Sequence, residues 1–315
     1  DEGLVGSEMC IRDRANTIEP GDTVLVAVKG YFGNRLLDMA GRYRANVQVI
    51  EKPWGEAFTL EEIEAGIKKY KPAILAIVHA ETSTGICQPM EGIGDLCQEH
   101  DCLLLLDTVT SLGGVPLYLD AWKVDLAYSC SQKGLSCPPG LGPFTMGPRA
   151  EAKLAARQDK VPNWYLDVSL LNQYWGSDRV YHHTAPVNMN FGMREALRLL
   201  AEEGLDNAWA RHRRNAEALW TGLESLGLEM HVPEKLRLPT LTTVRIPEDV
   251  DGKAFSSHLL NAHGIEVGGG LGVLAGKIWR IGLMGFNSTP ENVDRLLNLF
   301  ETELPRFRQN AAVAA

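Results

Sequence analysis

Lys133 lies in a stretch whose composition can change the chemistry of its amine. It follows a short apolar strand predicted over Val124 to Tyr128, within the segment AYSCSQKGLSCPPG. Serine, glycine and proline on both sides predict a tight turn rather than a solvated helix face. A lysine held in such a turn at the end of a buried strand loses part of its hydration, and a neutral amine attacks carbonyl carbons. The alternative is an ordinary lysine in a surface loop.

Asp107 directly follows four leucines in the segment LLLLDTVTSLGG, which lies upstream of Lys133. Four consecutive leucines predict a strand buried on both faces, which is typical of a parallel sheet covered by helices. Ligands of open α/β sheets bind beyond the carboxyl ends of the strands, so Asp107 and Lys133 are expected to face one crevice. Pyridoxal phosphate uses a lysine on its carbonyl and an acid on its pyridine nitrogen, so the pair indicates a site for that cofactor. The alternative for Asp107 is the N-cap of a following helix.

The elements that must position these two residues alternate along the chain. Apolar segments predict strands over Thr23 to Val28, Val47 to Ile50 and Ala73 to Val78, with helical patterns between them. This alternation, which continues to about residue 148, predicts an α/β fold with a mostly parallel sheet and covering helices. We expect a large domain over residues 15–204 and a smaller C-terminal α+β domain over residues 205–315.

Five motifs occur in the order found in a known family: HAETSTG, DTVTSLGG, SQKG, YHHT and WRIGLMG. From about Ala15 to about Arg308 the chain resembles the class V, fold-type I pyridoxal-phosphate aminotransferases, most closely the alanine-glyoxylate and serine-glyoxylate branch. The resemblance implies a homodimeric transaminase that moves an amino group from alanine or serine to glyoxylate, giving pyruvate or hydroxypyruvate and glycine. It also implies that Lys133 carries pyridoxal phosphate, with Asp107 on the pyridine nitrogen.

Further residues receive roles only through this resemblance. The implied partners are the pyridine ring for Phe32, the ring oxygen for Thr82, the cofactor phosphate for Gln132, the phosphate of the neighbouring subunit's cofactor for Tyr181 and Thr184, and the substrate carboxylate for Arg280. From residue types alone, Phe32 is equally a core aromatic, Thr82 a turn former, and the YHHT motif an extended surface segment. Arg280 lies within an apolar strand, where a buried arginine requires a carboxylate.

Composition excludes several other classes of protein. The chain has 315 residues, 45% of them hydrophobic, and a net charge of -9, which leaves no basic surface for nucleic acid. No apolar run approaches the roughly 18 residues that a membrane span needs. The cysteines form no C-x-x-C pair, which favours a reducing cytoplasm. We expect no metal site, because adjacent His182 and His183 should face opposite sides of an extended segment.

The amino terminus and the substrate leave alternatives open. Residues 1–14 read as a non-native leader, and the Ser/Gly-rich turn that binds the cofactor phosphate in the family is not recognisable there, so we expect a chain truncated at this end. An inactive fragment is therefore one alternative. Another is a related transaminase whose amino donor is ureidoglycine or 3-hydroxykynurenine. A cysteine desulfurase is disfavoured because no cysteine follows Cys137 to act as the nucleophile.

Overall fold

A six-stranded sheet forms the centre of the amino-terminal part of the chain in the computed structural model, which describes residues 7–308 and their side chains from residue 11 onward. The strands in chain order are β1 (Thr23–Val28), β2 (Asn46–Glu51), β3 (Ile74–Val78), the short hairpin strands β4 (Ala80–Glu81) and β5 (Ile86–Cys87), then β6 (Leu103–Asp107), β7 (Leu126–Tyr128) and β8 (Phe144–Met146). Sheet order is β2-β1-β3-β6-β7-β8, parallel except for β8. The predicted parallel α/β fold is confirmed.

Residues of β3 and β6 are buried along their whole length, as the continuous apolar sequences predict. The two strands pair in register from Ile74 with Leu103 to Val78 with Asp107. Helices cover the sheet, and apolar side chains form a separate core cluster on each face. These helices are α1 (Ser7–Thr17), α2 (Tyr31–Arg42), α3 (Leu60–Tyr70), α4 (Ile93–Glu99), α5 (Pro148–Ala155) and α6 (Val168–Trp175).

Helix α3 begins where the sequence predicts. The Thr59 hydroxyl accepts the Glu62 amide, and the Glu62 carboxylate accepts the Thr59 amide, which is a complete capping box. The two interactions satisfy backbone donors that the first turn of a helix leaves unpaired. Local sequence therefore determines this boundary.

Helix α1 corrects the expectation for the amino terminus. Asp13 and Arg14 are buried, and the Asn16 amide donates to the Leu166 carbonyl at 2.9 Å. Residues 11–14 are thus part of the packed structure, and leaving them out of the fold is wrong. Residues 1–6, the rest of the predicted leader outside this helix, lie outside the described residues.

The carboxyl-terminal part contains a second, smaller sheet with order β10-β11-β9. Its elements, with the two long helices before it, are α7 (Val187–Glu203), α8 (Leu205–Ser225), β9 (Leu241–Arg245), α9 (Gly252–His263), β10 (Gly268–Gly269), β11 (Ile278–Gly282) and α10 (Pro290–Glu303). Helices α8, α9 and α10 pack on this sheet around Trp220, Phe255, Trp279 and Phe300. Gly268 and Gly269 of β10 pair with Arg280 and Trp279 of β11. The described residues end at Arg308.

Two surface properties concern possible partners. Helix α7 buries none of its residues, and Val187, Phe191 and Leu197 are 48 to 65% exposed. Across residues 7–308, no helix has both the length and the apolar character needed to cross a bilayer.

Candidate active site

Loops after four neighbouring strands bring the predicted cofactor residues to one edge of the sheet. Phe32 follows β1, Thr82 follows β3, Asp107 ends β6, and Lys133 follows β7. In the sheet these strands are neighbours in the order β1-β3-β6-β7. Because all four are parallel, their carboxyl ends meet at the same edge, which is where open α/β sheets bind ligands.

Asp107 is a buried carboxylate held by two hydrogen bonds. Its Oδ2 accepts the Tyr128 hydroxyl at 2.6 Å and its Oδ1 accepts the Val109 amide at 2.9 Å. Burial raises the pKa of Asp107, while the bond from Tyr128 opposes that rise. A series of turns follows the strand, so the alternative of a helix N-cap is wrong. The fixed orientation of the carboxylate suits it to pair with a cationic ring nitrogen.

Lys133 lies in a turn that packs directly on the loop after Asp107. A Cβ atom added to Gly134 would lie 2.3 Å from the Leu112 carbonyl oxygen, so only glycine permits this approach. Ser131 pins the same turn, because its hydroxyl donates to the Pro138 carbonyl and accepts the Leu141 amide. Lys133 is half-buried, and within residues 7–308 its Nζ makes no hydrogen bond or ion pair. The backbone is fixed while the amine stays available.

Phe32 and Gln132 lie on the two sides of this edge. Phe32 is half-buried in the first turn of α2. The Tyr31 ring lies edge-on to the Phe32 ring with the two centroids 5.7 Å apart, and the Arg35 guanidinium lies 5.0 Å from the Phe32 ring centroid. The side-chain oxygen of Gln132, next to Lys133, is buried and has no hydrogen-bond partner among the described residues. The Gln132 amide can turn its NH₂ group toward an acceptor such as a phosphate oxygen. Together with a lysine and a buried acid, this set fits pyridoxal phosphate.

The YHHT segment is exposed at its outer residues. Tyr181 is 74% exposed, and its hydroxyl lies 3.3 Å from that of Thr184. His182 and His183 do not point to opposite sides, because their Nδ1 atoms are 2.9 Å apart. The His182 ring stacks on the Trp164 ring with their centroids 4.1 Å apart.

Arg280 is half-buried rather than buried, and its Nε donates to the Gly269 carbonyl at 2.7 Å. Its neighbours Trp279 and Ile281 point into the core, so alternation along β11 places Arg280 on the opposite face. The premise that burial forces a carboxylate partner on Arg280 is therefore wrong. A role in binding a substrate carboxylate stays a prediction.

Sequence reasoning missed a set of buried ionisable groups behind the site. Lys29 is fully buried, donates to the Val78 carbonyl, and has a pKa lowered by burial to about 8. His79 has a pKa lowered by burial to about 3, and its Nε2 lies 3.5 Å from the Cys87 thiol. Glu81 is also fully buried. The one signal in the sequence was the position of these residues directly after apolar strands.

A further polar group lies far along the chain, in its carboxyl-terminal part. His258, His263 and Glu303 can offer three ligand atoms within 4.8 Å of one another. Glu303 already pairs with His258 at 2.8 Å and with Arg306. Its carboxylate is thus neutralised by protein groups, and the spacing along the chain gave no hint of the group.

Comparison with known proteins decides the family. Residues 6–296 match the family described as aminotransferase class-V. The chain belongs to the aminotransferase class-V family. It is 45% identical to the alanine-glyoxylate aminotransferase of Callithrix jacchus, with 92% of this chain and 72% of that protein covered. It is 39% identical to the (S)-ureidoglycine-glyoxylate transaminase of Bacillus subtilis (strain 168), with 96% and 76% covered.

Solved structures agree with the class-V assignment. The alanine-glyoxylate aminotransferase of Nostoc sp. superposes with a TM-score of 0.93 at 63% identity, covering 94% of this chain and 79% of that one. The ureidoglycine-glyoxylate aminotransferase of Bacillus subtilis gives the same TM-score of 0.93 at 41% identity, covering 95% and 77%. The fold expected from the motifs is thus the fold of this family.

Proposed function

We propose that this class-V aminotransferase uses pyridoxal phosphate to move an amino group from alanine or serine to glyoxylate. The observation that carries the proposal is the packing of the Lys133 turn on the loop after Asp107, which places an available amine and a buried carboxylate at one sheet edge. Similarity to alanine-glyoxylate aminotransferases supports the choice of substrates. Pyridoxal phosphate, when bound, supplies a carbonyl and an electron-accepting ring.

Each residue of the site has a distinct task in this proposal. Lys133 binds the cofactor through its amine and, once released, moves a proton to and from the substrate Cα. Asp107 stays ionised beside the pyridine nitrogen, and Arg280 orients the substrate carboxylate. The remaining cofactor contacts are Phe32 against the ring, Thr82 at the ring oxygen, and Gln132 at the phosphate.

A homodimer completes the proposal. The apolar face of α7 borders a cavity of about 710 Å³ whose lining includes Trp175, Pro186 and Met193. A face of this kind is typical of an interface between subunits. In such a dimer, exposed Tyr181 and Thr184 bind the phosphate of the neighbouring subunit's cofactor. The five cysteines with described side chains are all unpaired, which supports a reducing compartment such as the cytoplasm.

Chemical trapping tests the assignment of the lysine. Borohydride reduction of the protein with pyridoxal phosphate, followed by peptide mapping, should label Lys133. Lys133→Arg keeps the positive charge and should abolish both the label and turnover. Lys29 is buried next to the same edge and Lys153 pairs with Asp22, so both serve as internal controls. Labelling at either of them, with Lys133 unmodified, would overturn the assignment.

A substrate panel tests the reaction. Alanine, serine, ureidoglycine and 3-hydroxykynurenine are each supplied as donor with glyoxylate, and glycine formation is measured. We expect the highest kcat/KM with alanine or serine. A preference for ureidoglycine would instead place the chain with its Bacillus relative, and glycine formation with none of these donors would refute the proposed reaction.

A further inference from the structure

Glu81 accepts hydrogen bonds from two segments that are distant in sequence. Its carboxylate accepts the amides of Phe32 at 3.3 Å and Gly33 at 3.1 Å, in the first turn of α2. It also accepts the Ser83 amide at 3.3 Å and the Ser83 hydroxyl at 2.5 Å. The Ser83 oxygen in turn accepts the Tyr31 amide at 2.9 Å. Glu81 and Ser83 therefore bind the start of α2 to the loop that contains Thr82.

The approach between the two segments is close. A Cβ atom added to Gly30 would fall 2.3 Å from the Glu81 Cδ and 2.6 Å from the Ser83 hydroxyl oxygen. Only glycine at position 30 therefore lets the carboxylate reach the helix start. Helix α2 has no side-chain cap of its own, so Glu81 supplies the negative charge that the amino end of a helix favours.

We infer that Glu81 is a positioning residue that holds Phe32 and Thr82 in fixed relation across the cofactor site. The inference rests on the proposed function, which puts Phe32 on the face of the ring and Thr82 at its oxygen. Phe32 lies in the first turn of α2, whereas Thr82 lies in the loop after β4. Glu81 connects the two residues, because its carboxylate accepts the Phe32 amide and its backbone is bonded directly to that of Thr82.

A carboxylate is required because every hydrogen-bonding neighbour of Glu81 in the described structure donates to it. One oxygen accepts Phe32 and Ser83, and the other accepts the Gly33 amide. In Glu81→Gln, one oxygen becomes an NH₂ group, which sets a donor against at least one donor in a fully buried site. In Glu81→Ala, the helix amides lose their acceptor altogether.

Amide hydrogen exchange on the cofactor-free protein tests whether Glu81 joins the segments. In Glu81→Gln we expect the amides around Phe32 and those around Ser83 to exchange at least about tenfold faster than in wild type, with α3 unchanged. Glu62→Gln is the matched control, since the Glu62 carboxylate accepts a backbone amide at the start of α3 and pairs with Lys52, not with the segments around Phe32 or Ser83. It should leave exchange around Phe32 and Ser83 at the wild-type rate, since a glutamine oxygen can still accept the Thr59 amide. Wild-type exchange in both segments of Glu81→Gln would overturn the inference.

Cofactor affinity tests whether the joint serves the site. At a temperature where all variants are folded, Glu81→Gln should weaken pyridoxal phosphate binding by at least about tenfold, and Glu62→Gln should leave it unchanged. Faster exchange with wild-type affinity would make Glu81 a helix cap only and refute the positioning role. If wild type itself bound no cofactor, the proposed function would fail, and the exchange measurement would still decide whether Glu81 joins the two segments.

Discussion

Removing the Tyr128 hydroxyl is the sharpest test of how Asp107 works. Tyr128→Phe keeps the buried ring and removes the hydroxyl that donates the 2.6 Å hydrogen bond to the carboxylate. Because that bond favours the ionised form and opposes the effect of burial, its loss should raise the pKa of Asp107 further. If Asp107 must be ionised for turnover, Tyr128→Phe should lose activity on acidification at a higher pH than wild type does.

The size of the shift follows from the strength of the bond. A hydrogen bond to a charged group contributes about 1.5 to 3 kcal/mol. One pKa unit corresponds to about 1.4 kcal/mol, so Tyr128→Phe should move the acid limb upward by about 1 to 2 pH units. At pH well above that limb, the variant should keep most of its activity, because the carboxylate is ionised there in both proteins.

The assay is the pH dependence of kcat/KM for glyoxylate-dependent transamination at saturating cofactor. Tyr70→Phe is the control, since Tyr70 is a half-buried tyrosine on the α3 side of the sheet. It should leave the acid limb in place. An unchanged acid limb in Tyr128→Phe, with the protein fully folded, would show that ionisation of Asp107 does not limit the reaction.

Three further predictions follow from other groups. Asp107→Asn should lower turnover on the order of 10³-fold, equal to about 4 kcal/mol, and turnover like wild type would remove Asp107 from the mechanism. Burial lowers the pKa of Lys29 from the ordinary lysine value of 10.5 to about 8. Between these two pH values the native protein binds fewer protons than the unfolded protein, so the free energy of unfolding should rise with pH. Urea unfolding at several pH values measures this slope. Lys29→Met should lower it by about 1.4 kcal/mol per pH unit, and a slope equal to that of wild type would contradict the lowered pKa of Lys29. Thr59→Ala should cost about 1 kcal/mol of unfolding free energy without changing kcat, and a loss of kcat would contradict a purely structural capping box.

Much of the scaffold was predictable because its signals are local. The strand from Thr23 to Val28 has the predicted bounds, and the capping box at Thr59 starts α3 as expected. The convergence of Asp107 and Lys133 was predictable as well, since a parallel sheet gathers the carboxyl ends of its strands. These inferences need only apolar runs, turn residues and the geometry of a βαβ unit.

Side-chain partnerships were not predictable, because they depend on which distant segments meet. The bond from Tyr128 to Asp107 follows from the register of β6 and β7, which no local pattern encodes. The contact of Glu81 with the start of α2 needs the space left by Gly30. For Arg280, the apolar neighbours suggested burial, but alternation along the strand turns its side chain away from the core.

The order of strands in the sheet has a consequence for synthesis of the chain. On one side of β1, the strands β3, β6, β7 and β8 lie in the same order as in the chain, which is the order in which a ribosome releases them. Domains begin to fold from the amino terminus during translation. A nascent chain that has emerged as far as Met146 already contains the six strands of this sheet together with Phe32, Thr82, Asp107 and Lys133. Arg280 emerges much later. The residues proposed to bind the cofactor can therefore be in place before the arginine proposed to bind the substrate carboxylate has been synthesised.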